Sequence, residues 1–318
     1  VIEVKKLAML LLTFMLAIVA VACSNNASTD KKTEASESKT KEITIKHKLG
    51  ETKVKTNPKN VVVFDFGSLD TLDKLGVEVA GVPQKNVPEY LSKYKDKKYT
   101  NVGGLKEPDF EKINEMNPEL IIISGRQSDS YKEFEKIAPT IYVEQDTKDY
   151  MKSFKENTEM LAKIFDKEDA AKKEIAAVEK DVKALNEKAT KSDKKGLILL
   201  ANDGQVSAYG PQSRFGIIHD VFGVKPVDTE LKADTHGNKV SFEYILEKNP
   251  DYIFVVDRGA VVGGKSSAKQ VVENEIVSKT NAAKNGNVVY LDANYWYLSG
   301  GGLESVSEMV KEVSKGLK

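Results

Sequence analysis

Phe110-Glu111-Lys112-Ile113-Asn114-Glu115-Met116-Asn117-Pro118-Glu119-Leu120-Ile121-Ile122-Ile123 has a counterpart later in the chain. It is Phe242-Glu243-Tyr244-Ile245-Leu246-Glu247-Lys248-Asn249-Pro250-Asp251-Tyr252-Ile253-Phe254-Val255. Phe, Glu, Ile, Glu, Asn and Pro recur at the same spacing. Each copy predicts a short helix, a stop at Asn-Pro, and a strand. Proline after a helix supplies the break. An unbroken apolar run suits a strand of a parallel sheet covered on both faces. Two copies of this unit predict an α/β chain with two Rossmann-like lobes.

Working outward, the first residue of note beyond each strand is an arginine: Arg126 after the first and Arg258 after the second. The chain has 48 basic residues, and only Arg126, Arg214 and Arg258 are arginine. All three follow strand-like runs and sit among small or turn-forming residues. Arginine keeps its charge and offers a planar fork of donors to paired anionic oxygens, which lysine does not. In open α/β sheets ligands sit beyond the carboxyl ends of strands. The repeat therefore puts two cations at equivalent ligand-facing points and predicts an anionic ligand in a cleft between the lobes. Codon economy with chance placement is the alternative.

Further strands are predicted at Val61–Phe64 and Val288–Leu291, and a hairpin at 196–209 turning at Asn202-Asp203-Gly204. Helices are predicted at Ser68–Leu75, Arg214–Phe222 and Leu303–Leu317. Between the halves, Ile175, Val178, Val182 and Leu185 form an amphipathic stripe. The stretch from about Tyr150 to Thr190 reads as a helical linker, either one long bent helix or two. The expected organisation is a signal segment at 1–22, a tether at 23–41, an N-terminal lobe at 42–148, the linker at 149–191 and a C-terminal lobe at 192–318.

Lys5 and Lys6 precede an apolar run from Leu7 to Ala22. Charged residues, an apolar run and small residues before Cys23 read as a secretory signal. The run is short for a membrane span, and Cys23 argues against an uncleaved anchor. Ala20-Val21-Ala22-Cys23 resembles the lipobox of bacterial lipoproteins, with alanine where leucine is usual. That resemblance implies cleavage before Cys23 and lipidation of its thiol, with several acyl chains giving firm attachment. Cys23 is the sole cysteine, so no disulfide forms within the chain. Ser24 to Lys41 is polar and without apolar period, as in a disordered tether. Acidic and basic residues balance at 48 each, which gives no support to nucleic-acid binding.

Together these features resemble the substrate-binding lipoproteins of bacterial ABC importers. More narrowly they resemble the group with a single helical linker, which handles ferric siderophores, haem and cobalamin. Val63–Leu72, Ala208–Pro211, Thr235-His236-Gly237 and Trp296–Gly302 bring the chain near members that take petrobactin-type ferric catecholates. The resemblance implies a lipid-anchored, monomeric receptor on the outer face of the cell membrane that hands its ligand to a permease. It implies no catalysis and no resident cofactor. It also implies that Arg126, Arg214 and Arg258 line the cleft, with Lys106 and His236 near the ligand. One glutamate per lobe, Glu111 and Glu243, is implied to dock onto the permease. Glu115 and Glu247 repeat in the same way, so a solvated helix face is the alternative.

Charge matching supports the triad independently. Fe(III) held by three dianionic bidentate groups carries about −3 at its centre, which three guanidinium groups balance. Tyr209, Trp296 and Tyr297 are candidate apolar walls, with core packing as the alternative. A solvated loop is the alternative for His236. A metal-ion receptor needs clustered His or carboxylate ligands, and His47, His219 and His236 are far apart in the repeat scheme. No nucleophile–base arrangement or phosphate loop argues for an enzyme. Haem and cobalamin remain alternatives within the binding class.

Overall fold

A computed structural model describes residues 41–318. The expected signal segment 1–22, Cys23 and the tether up to residue 40 lie outside the described residues. The first described element is an antiparallel hairpin, β1 (Glu42–His47) and β2 (Gly50–Lys55). Thr52 Oγ1 in it donates to the carbonyl of Thr140 at 2.7 Å, which fastens the hairpin to the N-terminal lobe.

That lobe is a five-stranded parallel sheet. In chain order it contains β3 (Val62–Val63), helix α1 (Phe66–Lys74), β4 (Gly81–Val82), β5 (Thr100–Asn101), helix α2 (Phe110–Met116), β6 (Ile121–Ile123) and β7 (Thr140–Tyr142). The strand order is β5-β4-β3-β6-β7. Val61 to Phe64 and Leu120 to Ile123 are buried throughout, as apolar runs covered on both faces must be. The winding reverses between β3 and β6, which puts a topological switch point at their carboxyl ends.

Of the two forms left open for the linker, the structure has two helices. They are α3 (Tyr150–Ile164) and α4 (Glu168–Thr190). Asp166 lies between them at φ 51°, a left-handed conformation that ends the first helix. Leu161 and Ile164 of α3 join the core of the N-terminal lobe. The stripe of α4, with Ala171 and Ala189 added at its ends, is buried with Ile218, Phe222 and Val224 of the second lobe.

The C-terminal lobe contains β8 (Lys195–Asn202), β9 (Gln205–Tyr209), β10 (Lys225–Pro226), β11 (Asn238–Val240), helix α5 (Phe242–Lys248), β12 (Tyr252–Asp257), helix α6 (Arg258–Val262), β13 (Val288–Leu291) and the closing helix α7 (Leu303–Gly316). β8, β12 and β13 are parallel, while β9 and β11 run antiparallel to their neighbours. Asp203 and Gly204 both take positive φ in the β8–β9 turn, as a tight hairpin requires.

The repeat is exact at the level of local structure. Asp109 caps α2 and Ser241 caps α5 by accepting a backbone N–H three residues on. Asn117 and Asn249 end the two helices at φ 48° and 43°. The break is thus made by an asparagine in the left-handed region, which tolerates it better than most residues, and the following proline prevents the helix from resuming. The expected helix at Arg214–Phe222 is much shorter, covering Ile217–Asp220. Asp220 turns back to accept the backbone N–H of Gln212 at 2.6 Å, and Gln212 sits at φ 58°, so 211–216 folds as a loop over the helix start.

Helix α7 packs against both α4 and α1 and so ties the second half of the chain to the first. The seam is close. A Cβ on Gly67 would lie 2.7 Å from the carbonyl oxygen of Gly300, and one on Gly302 would lie 2.4 Å from Asp70. Asp70 of α1 is buried and accepts the backbone N–H groups of Glu304 and Ser305 at 2.8 and 2.7 Å, the first turn of α7.

Candidate functional site

The carboxyl ends of β3, β6 and β7 line a cavity of about 930 Å³, to which the C-terminal lobe contributes the loops 212–215 and 233–236 and the turn 296–301. Each lobe has a polar residue near the end of the first strand of its central pair, at positions two residues apart in register, and an arginine just past the second. In the N-terminal lobe these are Asp65, after β3, and Arg126, after β6. In the C-terminal lobe they are Asn202, ending β8, and Arg258, after β12. Arg258 Nη1 donates to Asn202 Oδ1 at 2.6 Å. Asp65 caps α1 by accepting from the backbone and hydroxyl of Ser68. Burial raises its pKa, with the Ser68 hydrogen bonds and the Arg126 charge acting against that rise.

The three arginines meet at Tyr297. Arg126 Nη2 and Arg214 Nη2 donate to its main-chain carbonyl at 2.8 and 2.7 Å. Arg258 Nε donates to its phenol oxygen at 2.9 Å. The guanidinium carbons lie 6.0, 4.2 and 5.7 Å from the ring centre for Arg126, Arg214 and Arg258. Tyr297 belongs to a π-helical turn, Asn294–Ser299, in which Gly300 N–H reaches back five residues to the carbonyl of Tyr295 at 2.8 Å. Two residues on, Gly302 N–H goes to Ser305 Oγ instead of to Tyr297. The Tyr297 carbonyl is thereby left to the arginines.

These cations lack anionic partners. Among the described residues every ion pair is made by a lysine, and no carboxylate pairs with any of the three guanidinium groups. Their acceptors are neutral: a carbonyl, a phenol and an amide. Burial, and then the neighbouring Arg214 charge, lower the pKa of Arg126. Burial alone would raise the Tyr297 phenol, but the Arg258 hydrogen bond and the Arg214 and Arg258 charges outweigh it and pull the pKa down. A site that crowds positive charge onto neutral oxygens favours a dense anion.

The remaining candidates separate clearly. Lys106 and His236 line the cavity from exposed loops, one on each lobe. The Lys106 loop is held by Gln127, a residue that sequence reasoning passed over. Gln127 Nε2 donates to the carbonyl of Leu105 at 2.6 Å. Trp296 lines the cavity but is only 3% exposed, and its indole N–H donates to Glu312 at 2.7 Å. Tyr209 is not among the lining residues. It is fully buried, edge-on to Phe215 with ring centres 4.7 Å apart, and it underlies Gly237. It supports the loops that carry Arg214 and His236. Arg258 is also absent from the lining; its Nε donates to the phenol of Tyr297, which does line the cavity.

Glu111 and Glu243 are exposed and occupy the second position of α2 and α5. Each helix runs antiparallel to the strand that follows, so both glutamates lie at the cleft end of their lobe. Glu115 lies a turn further on and pairs with Lys112 at 2.8 Å. Asn202, which accepts from Arg258, and Asp65, whose charge acts on Arg126, were missed from sequence.

Comparison with known proteins agrees with this geometry. The model of the periplasmic binding protein family matches residues 61–295. Petrobactin-binding protein YclQ of Bacillus subtilis (strain 168) is 57% identical over 318 residues, 99% of each chain. Its crystal structure matches with a TM-score of 0.86 at 60% identity, over 87% of this chain and 99% of that one. The periplasmic catecholate-siderophore binding protein VctP from Vibrio cholerae matches with a TM-score of 0.82 at 36% identity, over 86% and 100% of the chains. FeuA from Bacillus subtilis, complexed with ferri-bacillibactin, matches with a TM-score of 0.72 at 26% identity, over 86% and 98%. Two α/β lobes built on a repeated unit, with a cleft at their strand ends, and sequence likeness along nearly the whole chain lead to one conclusion: the chain belongs to the periplasmic binding protein family.

Proposed function

We propose that this protein captures a ferric catecholate siderophore of the petrobactin type and delivers it to an ABC permease for iron uptake. The observation that carries the reading is the set of three guanidinium groups directed at neutral acceptors, with no carboxylate paired to any of them. A chelate with about −3 at its metal centre supplies the missing charge, and each charge-assisted hydrogen bond contributes about 1.5–3 kcal/mol. The names of the matched relatives point to the same ligand class. Arg126 and Arg214 form the floor of the site, with Arg258 bonded to the phenol of Tyr297. Lys106 and His236 close over the ligand from the rims, and Trp296 lies beneath as a buried wall.

Lipidation of Cys23 would hold the protein, as a monomer, on the outer face of the membrane. Glu111 and Glu243, one at the cleft end of each lobe, suit a permease with two-fold symmetry.

The sole tryptophan provides the test. Ferric petrobactin is expected to quench Trp296 emission strongly, and a neutral ferric hydroxamate weakly. Equal responses to the two would sink the charge-matching argument.

A further inference from the structure

We infer that Tyr297 competes with the ligand for the arginine donors, and that an incoming chelate must take those donors away from it. The inference rests on the reading of the cleft as a site for an anionic chelate, and it names the residue that sets how tightly the chelate is held.

Tyr297 occupies donors from all three arginines at once, through its carbonyl for Arg126 and Arg214 and its phenol for Arg258. These arginines come from opposite lobes, so the tyrosine ties the lobes together in the absence of ligand. Its side chain lines the cavity, and Arg258 does not. A chelate in the cavity meets Arg126 and Arg214 directly, and it gains the Nε donor of Arg258 only when the phenol gives it up.

The segment is built for that movement. Its start is anchored: Glu89 N–H donates to Asn294 Oδ1 at 3.0 Å, and the Tyr295 ring packs on Tyr90 with centres 4.6 Å apart. Its end is anchored too, by Ser299 Oγ at 2.7 Å from the Tyr90 hydroxyl. Between these anchors the Tyr297 side chain is only half-buried, and Arg258 is the hydrogen-bond partner of its phenol. Side-chain rotation is therefore the least costly response.

The exchange replaces neutral acceptors by anionic oxygens, which adds the attraction of opposite charges to hydrogen bonds whose donor is already ionised. Whatever free energy the phenol contributes to the empty state is subtracted from the affinity of every ligand that displaces it. Tyr297 thus sets a threshold: a densely anionic chelate exceeds it and a neutral one does not.

Tyr297→Phe tests this. The substitution keeps the ring and the main-chain carbonyl and removes the phenol oxygen that Arg258 and Arg214 share. The probe is the ferric complex of a hexadentate tris-catecholate, followed by Trp296 quenching, with thermal midpoints of the empty and loaded protein. The expected result is affinity about three- to thirtyfold tighter than wild type, a lower midpoint for the empty protein, and an unchanged midpoint for the loaded one. A residue that contacts the ligand directly, or one that only holds the fold, would give weaker binding. Unchanged or weaker affinity in the variant, with wild type binding normally, overturns the inference. Failure of wild type to bind the probe at all sinks the reading of the cleft instead.

Discussion

Arginine and lysine are divided here by task. Lysines make every ion pair among the described residues, and most of these pairs are solvent-exposed. Such pairs contribute little to stability. The arginines form no ion pair within 4 Å among these residues, and only Arg126 feels a nearby carboxylate, Asp65, an arrangement that costs stability in the ligand-free protein. The lowered pKa of Arg126 expresses that cost, since burial and Arg214 both disfavour its charged form. Arg126→Gln is therefore expected to act in opposite directions. It should raise the thermal midpoint of the empty protein by a few degrees, and weaken binding of a ferric catecholate about 10- to 100-fold through loss of a charge-assisted hydrogen bond. Calorimetry with and without ligand measures both; a lower midpoint in the empty variant would show that Arg126 supports the fold.

Among the elements, the seam between α1 and α7 positions the site. Gly67 and Gly302 allow it to close, and Asp70 caps α7 across it. Because the π-helical turn carrying Tyr297 runs directly into α7, this seam fixes where Tyr297 stands. Burial raises the Asp70 pKa to about 6, although the N–H groups of Glu304 and Ser305 and the Tyr90 hydroxyl pull it down. The folded pKa lies above the unfolded value, so between about pH 4 and 6 the folded state holds more protons than the unfolded chain. Stability from this group accordingly falls as pH rises through that window and is level above it. Asp70→Asn removes the titration. The stability difference, wild type minus variant, should decline from pH 4 to pH 7 by roughly 3 kcal/mol at most. Denaturation at a series of pH values checks it, and a constant difference would acquit Asp70.

At the scale of the whole molecule, the duplicated unit places Glu111 and Glu243 at equivalent points of two lobes, at the same end as the cleft. Joint charge reversal, Glu111→Lys with Glu243→Lys, is expected to abolish iron uptake in cells while siderophore affinity in solution stays within about twofold, as for exposed residues away from a binding site. Loss of affinity in the purified double variant would move these residues from docking to the ligand site.

Much of this was legible in the sequence. The two repeat units, their buried strands and the strand-end positions of Arg126 and Arg258 follow from residue order, because apolar periodicity and helix stops are local properties. The break in the linker was harder to read, since a single left-handed Asp166 made it and no proline announced it. Tyr209 read as a cavity wall because it borders a Gly-Pro turn, yet Phe215 and Gly237 close over it.

What the sequence determined by itself was the architecture and the placing of Arg126 and Arg258 just past equivalent strands. Only the tertiary structure decided that three arginines from separate turns and helix starts share one tyrosine, and that Asn202 accepts from Arg258. These are contacts between residues up to 171 positions apart. They arise where strand ends and a π-helical turn converge in space, and local sequence pattern carries no record of that convergence.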